Sequence, residues 1–338
     1  MLIKKENDEL IYQQLAPNIF HIPGENPNAA TLLGTNCFII GSGKHRVMID
    51  AGDLPPINDK FMRNLKTLMK DQQFTINKIF ISHAIPNHFG GAWSVLEYHA
   101  RQGWEIPTVY KHLDGNDYEI EVFHKCPHLR EHMRHVEDKE QFQINSQILT
   151  AKTRHQPQTL KNGMEDDEII EVMRTPGHRN DHCSYALKSQ KHQQNILFSG
   201  DMVLGSPSVS MDHMELYLND LHRAQEMKFD KLYLVHTLGL NPEDVVVEAD
   251  KKIQDYLDYR YHRLNNMINF MRTKQRAIRR IELFDYIYGH EDLIDKVRLR
   301  LVTTCFDSHI QKLIDDKICM VPKEDELVFS HSDRDFKY

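Results

Sequence analysis

The sequence predicts an α/β body followed by an α-rich tail, and three observations predict it. Short apolar runs alternate with glycine turns and helical stretches over most of the chain. Five of those runs end in clusters of Asp, His and Gly. From Pro242 onward strand signals nearly vanish and helical periodicity takes over. At 338 residues the chain is long enough for one large domain and a small one, which we place at 1–258 and 259–338, with a boundary near Tyr259.

The elements follow in order. Cys37-Phe38-Ile39-Ile40 stops at Gly41-Ser42-Gly43, and Val47-Met48-Ile49 runs into Asp50-Ala51-Gly52-Asp53, so the two form a hairpin leaving an acidic loop at its end. A helix is expected over 59–71. Lys78 to Ile81 makes a buried strand entering Ser82-His83. Further strands are expected at 169–173, 184–187, 196–198 and 231–235. Residues 111–155 are rich in His, Glu and Lys and poor in apolar periodicity, which predicts an insertion covering or flanking a site. Beyond it, 245–271 reads as one or two helices, 281–317 as three shorter ones, and 317–328 as a hairpin.

Charge and cysteine usage narrow the classes. A formal charge of -7 gives no global reason to expect nucleic-acid binding, so any basic surface must be local. Five scattered cysteines without a Cys-x-x-Cys pair argue against a disulfide frame or a cysteine zinc site. No apolar run reaches the ~18 residues of a membrane helix, and the charged start resembles neither a signal nor a transit peptide. The expectation is an intracellular protein without membrane insertion.

The chemistry gathers at strand ends: Asp50-Ala51-Gly52-Asp53, Ser82-His83-Ala84-Ile85-Pro86-Asn87-His88-Phe89-Gly90-Gly91, Thr175-Pro176-Gly177-His178, Phe198-Ser199-Gly200-Asp201 and Tyr233-Leu234-Val235-His236. With 21 histidines in the chain, one His at one strand end means little. Five such features in this order mean more.

On these residues the sequence resembles the metallo-β-lactamase superfamily, whose signatures are His-x-His-x-Asp-His before Gly-Gly, then Pro-Gly-His, Gly-Asp and a final His. Asn26-Pro27, Thr31 to Asn36, Asp181-His182 after Pro-Gly-His, Leu204-Gly205 after Gly-Asp, and Arg260 to Asn266 before a helical tail resemble its lactamase-β-like-2 branch. Members of that branch are zinc-dependent mitochondrial endoribonucleases. The resemblance implies a four-layer αββα sandwich with a winged-helix-like C-terminal domain, a mitochondrial location (the cytosol being the alternative) and metal ligands at His83, His88, His178, Asp201 and His236. Imidazoles and carboxylates suit Zn²⁺, and two close metals polarise a phosphate and generate hydroxide near neutral pH.

Two family ligand positions are changed. Ile85 stands where the second His belongs and has no donor atom. Asn87 stands where the Asp belongs; it is neutral, a weak ligand, and lacks the basicity to orient and deprotonate a nucleophile. Pro86 also keeps Ile85 out of the helical region. No catalytic residue is therefore assigned, and the expected cofactor is no zinc or one, not two. The expected function is a pseudo-enzyme serving as a binding or structural subunit of a larger assembly. A zinc-dependent hydrolase, in the form of a single-strand endoribonuclease, is the alternative.

Arg260, Arg263, Arg272, Lys274, Arg276, Arg279 and Arg280 form an acid-free block that predicts contact with a protein partner or RNA. Trp93 and Trp104 are expected in the core. His124, His128, His132 and His135 are spaced for one helical face, where a solvated insertion helix is the expectation and a metal site the alternative.

Overall fold

The computed structural model describes residues 2–144, 168–206, 209–274, 276–289, 296–323, 325–330 and 338. The part of the expected insertion beyond residue 144 lies outside them.

The first sheet contains β1 (Ile3–Glu6), β2 (Glu9–Ala16), β3 (Ile19–Pro23), β4 (Asn36–Ile40), β5 (His45–Ile49), β6 (Thr75–Phe80), β7 (Thr108–Lys111) and β8 (Met133–His135), side by side in chain order. It is antiparallel up to β5 and parallel beyond. The second sheet runs β14 (Val246–Glu248), β13 (Lys231–Tyr233), β12 (Gln194–Phe198), β11 (Cys183–Ser189), β10 (Glu168–Arg174) and β9 (Gln141–Gln143). The hairpin expected at 37–49 is β4 and β5, and the four strands expected in the second half are β10 to β13.

Period-two patterning explains the layering. In β4, Phe38 and Ile40 join one core cluster while Cys37 and Ile39 join another. In β12, Ile196 and Phe198 face the first of these, and Leu197 faces a third. The shared cluster is the seam between the sheets, where Phe38 meets Phe198 at 5.1 Å and Phe80 meets Tyr185 at 5.2 Å between ring centroids. Strands buried on both faces need helices outside. On the first sheet these are α1 (Asp59–Gln72), the one-turn α2 (Pro86–Phe89), α3 (Ala92–Gln102) and α4 (Asp117–Lys125). On the second they are α5 (Met214–Glu226) and α7 (Ala249–Lys274), with the short α6 (Pro242–Val245) before α7. The result is the αββα sandwich that the sequence predicts.

The tail adds α8 (Arg280–Tyr288), α9 (Lys296–Asp315) and a small sheet ordered β15 (Ile278–Arg279), β17 (Glu326–Phe329), β16 (Cys319–Met320). Two helices, not three, occupy the described part of 281–317. The division expected near Tyr259 falls inside α7, whose 26 residues run unbroken from the sandwich into the tail. Its buried face, Ile253, Tyr256, Leu257, Leu264 and Ile268, shares one core with α5, α8 and α9. No described helix is long and apolar enough to cross a membrane.

Candidate metal centre

Four strand ends deliver the five predicted residues to one place. β6 runs into Ser82-His83, and the chain then turns into α2, with Pro86 at its first position and Ile85 extended before it (φ -64°, ψ 136°). That single turn carries Asn87 and His88. The β10–β11 loop carries His178, the turn after β12 carries Asp201, and His236 follows β13. Gly177 lets its loop lie against α5, because a Cβ there would come within 2.2 Å of the Tyr217 backbone.

Asp201 is the hub. Its Oδ2 lies 3.7 Å from His83 Nε2 and 3.6 Å from His178 Nε2, and its Oδ1 lies 3.6 Å from His88 Nε2 and 3.4 Å from His236 Nε2. His88 and His236 face each other, Nε2 to Nε2, at 3.2 Å. Donors about 2.0–2.1 Å from one tetrahedral ion stand roughly 3.3–3.4 Å apart, so these spacings suit two half-sites sharing one carboxylate. His83, His178 and Oδ2 form the first, and His88, His236 and Oδ1 the second.

The outer nitrogens decide what the inner ones present. His178 Nδ1 lies 2.7 Å from the Ser210 carbonyl, His236 Nδ1 3.1 Å from the Gly34 carbonyl, and His88 Nδ1 2.8 Å from Asp50 Oδ2. These oxygens only accept, so each Nδ1 carries the proton. Ser82 Oγ donates to Asp50 and therefore accepts from His83 Nδ1, 3.0 Å away. A neutral imidazole protonated at Nδ1 turns a bare Nε2 inward, which is the tautomer of a metal ligand. All four rings are buried, and His83 Nε2, His178 Nε2 and Asp201 Oδ1 have no hydrogen-bond partner. Buried lone pairs aimed at a carboxylate call for a cation.

The charge balance agrees. Burial pushes His83 well below its usual range and lowers His178 and His236, keeping them neutral. Burial also pulls on His88, but the carboxylates of Asp50 and Asp201 outweigh it and raise that imidazole. Burial pushes Asp201 up, yet His236, His88, His178 and His182 hold it down at about 2. The donor set therefore fits a zinc-like ion. Ile85, half-buried beside it, brings no donor, and Asn87 brings an amide 3.3 Å from His236 Nε2.

The family model of the metallo-beta-lactamase superfamily matches residues 30–236, more than half of the chain. The chain belongs to that superfamily. It is 23% identical over 305 residues to the Beta-lactamase-like protein 2 homolog of Caenorhabditis elegans, covering 88% of each chain. It is 24% identical to the homolog of that name in Drosophila melanogaster, covering 81% of this chain and 80% of the relative. An atrochrysone carboxyl ACP thioesterase of Claviceps purpurea is 21% identical, covering 90% and 82%. Among solved structures, a beta-lactamase domain protein from Burkholderia ambifaria superposes with a TM-score of 0.67 over 94% of both chains at 14% identity. A metallo-beta-lactamase family protein from Thermus thermophilus gives 0.63 over 94% of this chain and all of its own, also at 14% identity, which establishes the shared fold.

Around the superfamily's ligand positions stand residues that the sequence reading left without a role. Asp50 accepts from the Ser82 amide and hydroxyl and from His88. His182 accepts the Asp201 backbone N–H at 2.9 Å, so it orients the hub without facing it as a ligand. Asp181 accepts the Ala84 N–H at 2.8 Å, between His83 and Ile85. Asp181 is itself held 2.7 Å from Lys111 Nζ, and Lys111 also pairs with Glu119 of α4; all three are buried. Burial pushes Asp181 up, but Lys111 and Arg179 hold it far below the usual carboxylate range. Asp220 of α5 accepts the Gly177 N–H at 2.8 Å, next to His178. Asp181 and His182 stood inside a quoted motif and Asp50 opened another, so position after a strand was the available signal. Nothing in the sequence pointed to Lys111.

The basic block is largely spoken for. Arg260 is fully buried, donating to the Val209 carbonyl at 3.0 Å and lying over the rings of Tyr217 and Tyr259, so it cannot touch a partner. Arg263 bonds the hydroxyls of Tyr259 and Tyr288, and Arg272 lies over Phe329. Acids just beyond the block compensate it: Arg276 pairs with Glu282 at 2.8 Å and Arg280 with Asp307. Arg279, exposed, also lies 3.7 Å from Glu282, and Lys274 is exposed over the Phe270 ring. The four insertion histidines share no helix face, because Pro127 ends α4 and starts a tighter turn; His128 stacks on Trp93, and His135 lies in β8 beside Glu137. Both tryptophans are half-buried at the edge of the core.

Proposed function

We propose that this chain is a metal-holding member of the superfamily that has given up two-metal hydrolysis and acts as a binding or structural subunit of a larger intracellular assembly. A mitochondrial location follows from the resemblance to the lactamase-β-like-2 branch. The observation that carries the reading is the convergence of four histidine Nε2 atoms on Asp201 beside Ile85 and Asn87, which bring no imidazole or carboxylate. A superfamily metal supplies Lewis acidity and an activated water. Here His83, His178 and Asp201 would hold one ion, and no described carboxylate takes the place of the family Asp to position a nucleophile. Lys274, exposed and outside any ion pair among the described residues, is what remains of the tail as a contact surface for a protein partner.

A second reading, a one-metal hydrolase, has its own support: three protein donors and an open position suffice for catalytic zinc, and the relatives include proteins named as thioesterases. Charge argues that such an enzyme would take an acyl substrate and not RNA. The loops around the centre, 24–35, 50–58, 82–91, 175–182, 199–206 and 234–241, contain one Lys or Arg, Arg179, which is paired with Asp181. Exposed Leu33 and Leu238 flank His236, joined through Leu33 N–H and the Thr237 carbonyl.

Elemental analysis of the purified chain, followed by assays with an acyl thioester and with single-stranded RNA, tests both readings. We expect at most one zinc per chain and no turnover of either substrate. Two tightly held zinc ions with rapid thioester hydrolysis would overturn the first reading, and RNA cleavage would overturn the substrate argument.

A further inference from the structure

At the other end of the first sheet, where β5 and β6 begin, lies a groove of about 660 Å³. Its walls are the last turns of α1 and α3. The metal ligands follow the far ends of these strands, so the groove lies about 20 Å away, the length of a six-residue strand. Its volume falls within the range of small-molecule sites.

The floor is apolar: Met69, Phe74, Tyr98 and Trp104. Lys44, Lys66 and Lys70 stand around it, and no carboxylate lines it. None of these three lysines is in an ion pair among the described residues, in a chain with a formal charge of -7. Lys66 covers one face of Tyr98, its Nζ 4.9 Å from the ring centroid. Trp104 meets Tyr98 and His99 edge to face, with interplanar angles of 83° and 81°. Gln73, Gln102 and Thr67 add polar atoms at the rim.

We propose that this groove is a binding site for a nucleoside phosphate, with the base against Trp104 and the phosphate among Lys44, Lys66 and Lys70. An aromatic ring suits a floor that includes Trp104 and Tyr98, and a compact anion suits three ammonium groups outside any ion pair among the described residues. The groove is bounded by the ends of α1 and α3, and its volume suits a single nucleotide. The site is independent of the metal centre.

The test is calorimetric titration of the full chain, as purified and after chelator treatment, with AMP, adenosine, inorganic phosphate and palmitate. AMP should bind equally to both preparations and quench tryptophan emission, while adenosine and phosphate each bind at least about ten-fold more weakly. Lys66→Glu with Lys70→Glu, two exposed changes that leave the core alone, should weaken AMP by at least about ten-fold. Trp104→Leu, checked for fold by circular dichroism, should weaken AMP and adenosine but not phosphate. The proposal is overturned if AMP gives no heat at millimolar concentration, if the double lysine variant binds as well as the parent, if chelation abolishes binding, or if palmitate binds more tightly than AMP.

Discussion

The two halves of the candidate metal centre are built differently. In the first, His83 and His178 turn Nε2 atoms inward that meet no hydrogen-bond partner. In the second, His88 and His236 face each other at 3.2 Å, so one proton shared between them satisfies both. The supports differ as well. The second half is held through its side chains, His88 by Asp50 and His236 by the Gly34 carbonyl. The first has, besides the Ser82 and Ser210 acceptors of His83 and His178, backbone N–H groups given to buried carboxylates, Ala84 to Asp181 and Gly177 to Asp220. The second half can rest without an ion. The first offers unpartnered donors on a rigid frame, and in the proposed reading that is where a single ion would sit.

The frame of the first half should be the easiest part to break. Lys111→Met removes the one ammonium shared by Asp181 and Glu119, leaving two buried carboxylates without it. Stripping one partner from a buried ion pair costs about 3–5 kcal/mol. Urea unfolding should show a loss of that size, with zinc affinity falling alongside. A loss below about 1 kcal/mol, the range of exposed pairs, would show that water reaches the cluster.

Asp220 offers a gentler probe of the same half. Burial raises its carboxyl to about 7 despite the Gly177 N–H. In the unfolded chain it ionises near 4, so between about pH 4 and 7 the unfolded state binds fewer protons and stability falls as pH rises. Asp220→Asn keeps the acceptor for Gly177 and removes the titration. The variant should match the parent near pH 4 and exceed it at pH 8 by about 2 kcal/mol, half of the roughly 4 kcal/mol that a three-unit shift carries in full. Equal gains at both pH values would mean that Asp220 titrates normally.

The difference between the halves also marks what a sequence discloses. The strands were legible because β4, β6, β11 and β12 each carry a short apolar run, Cys37–Ile40, Ile79–Phe80, Tyr185–Leu187 and Ile196–Phe198. His83, His88, His178, Asp201 and His236 were legible because each follows such a run. Lys111 was hidden inside a stretch rich in charge, where nothing local separates a buried ammonium from a solvated one; only the approach of the β10–β11 loop to α4 does so. Arg260 misled for the same reason, since a helical arginine reads as basic surface until a core forms around it. The compensating acids of the tail, Glu282 and Asp307, lie outside the window that looked acid-free.

The most direct comparison of the halves restores one ligand to each. Ile85→His would add an imidazole beside His83, on an extended residue fixed by Pro86. Asn87→Asp would put a carboxylate where an amide now stands 3.3 Å from His236. The first half already presents neutral, unpartnered nitrogens, so a third imidazole adds a donor to a site that needs no proton removed. The second must give up the proton that His88 holds between Asp50 and Asp201 before an ion can enter, and a carboxylate at 87 also raises the affinity of that pair for a proton. Near neutral pH, Ile85→His alone should therefore tighten zinc by at least the ~10-fold that a change outside the ligand shell commonly brings. Asn87→Asp alone should tighten it less at pH 6 than at pH 8, and the double variant should bind a second ion. Zinc titration against a competing chelator at both pH values reads all three. If Asn87→Asp proved the stronger single change at pH 6, the second half would be the resident site and the order argued from the unpartnered nitrogens would be reversed.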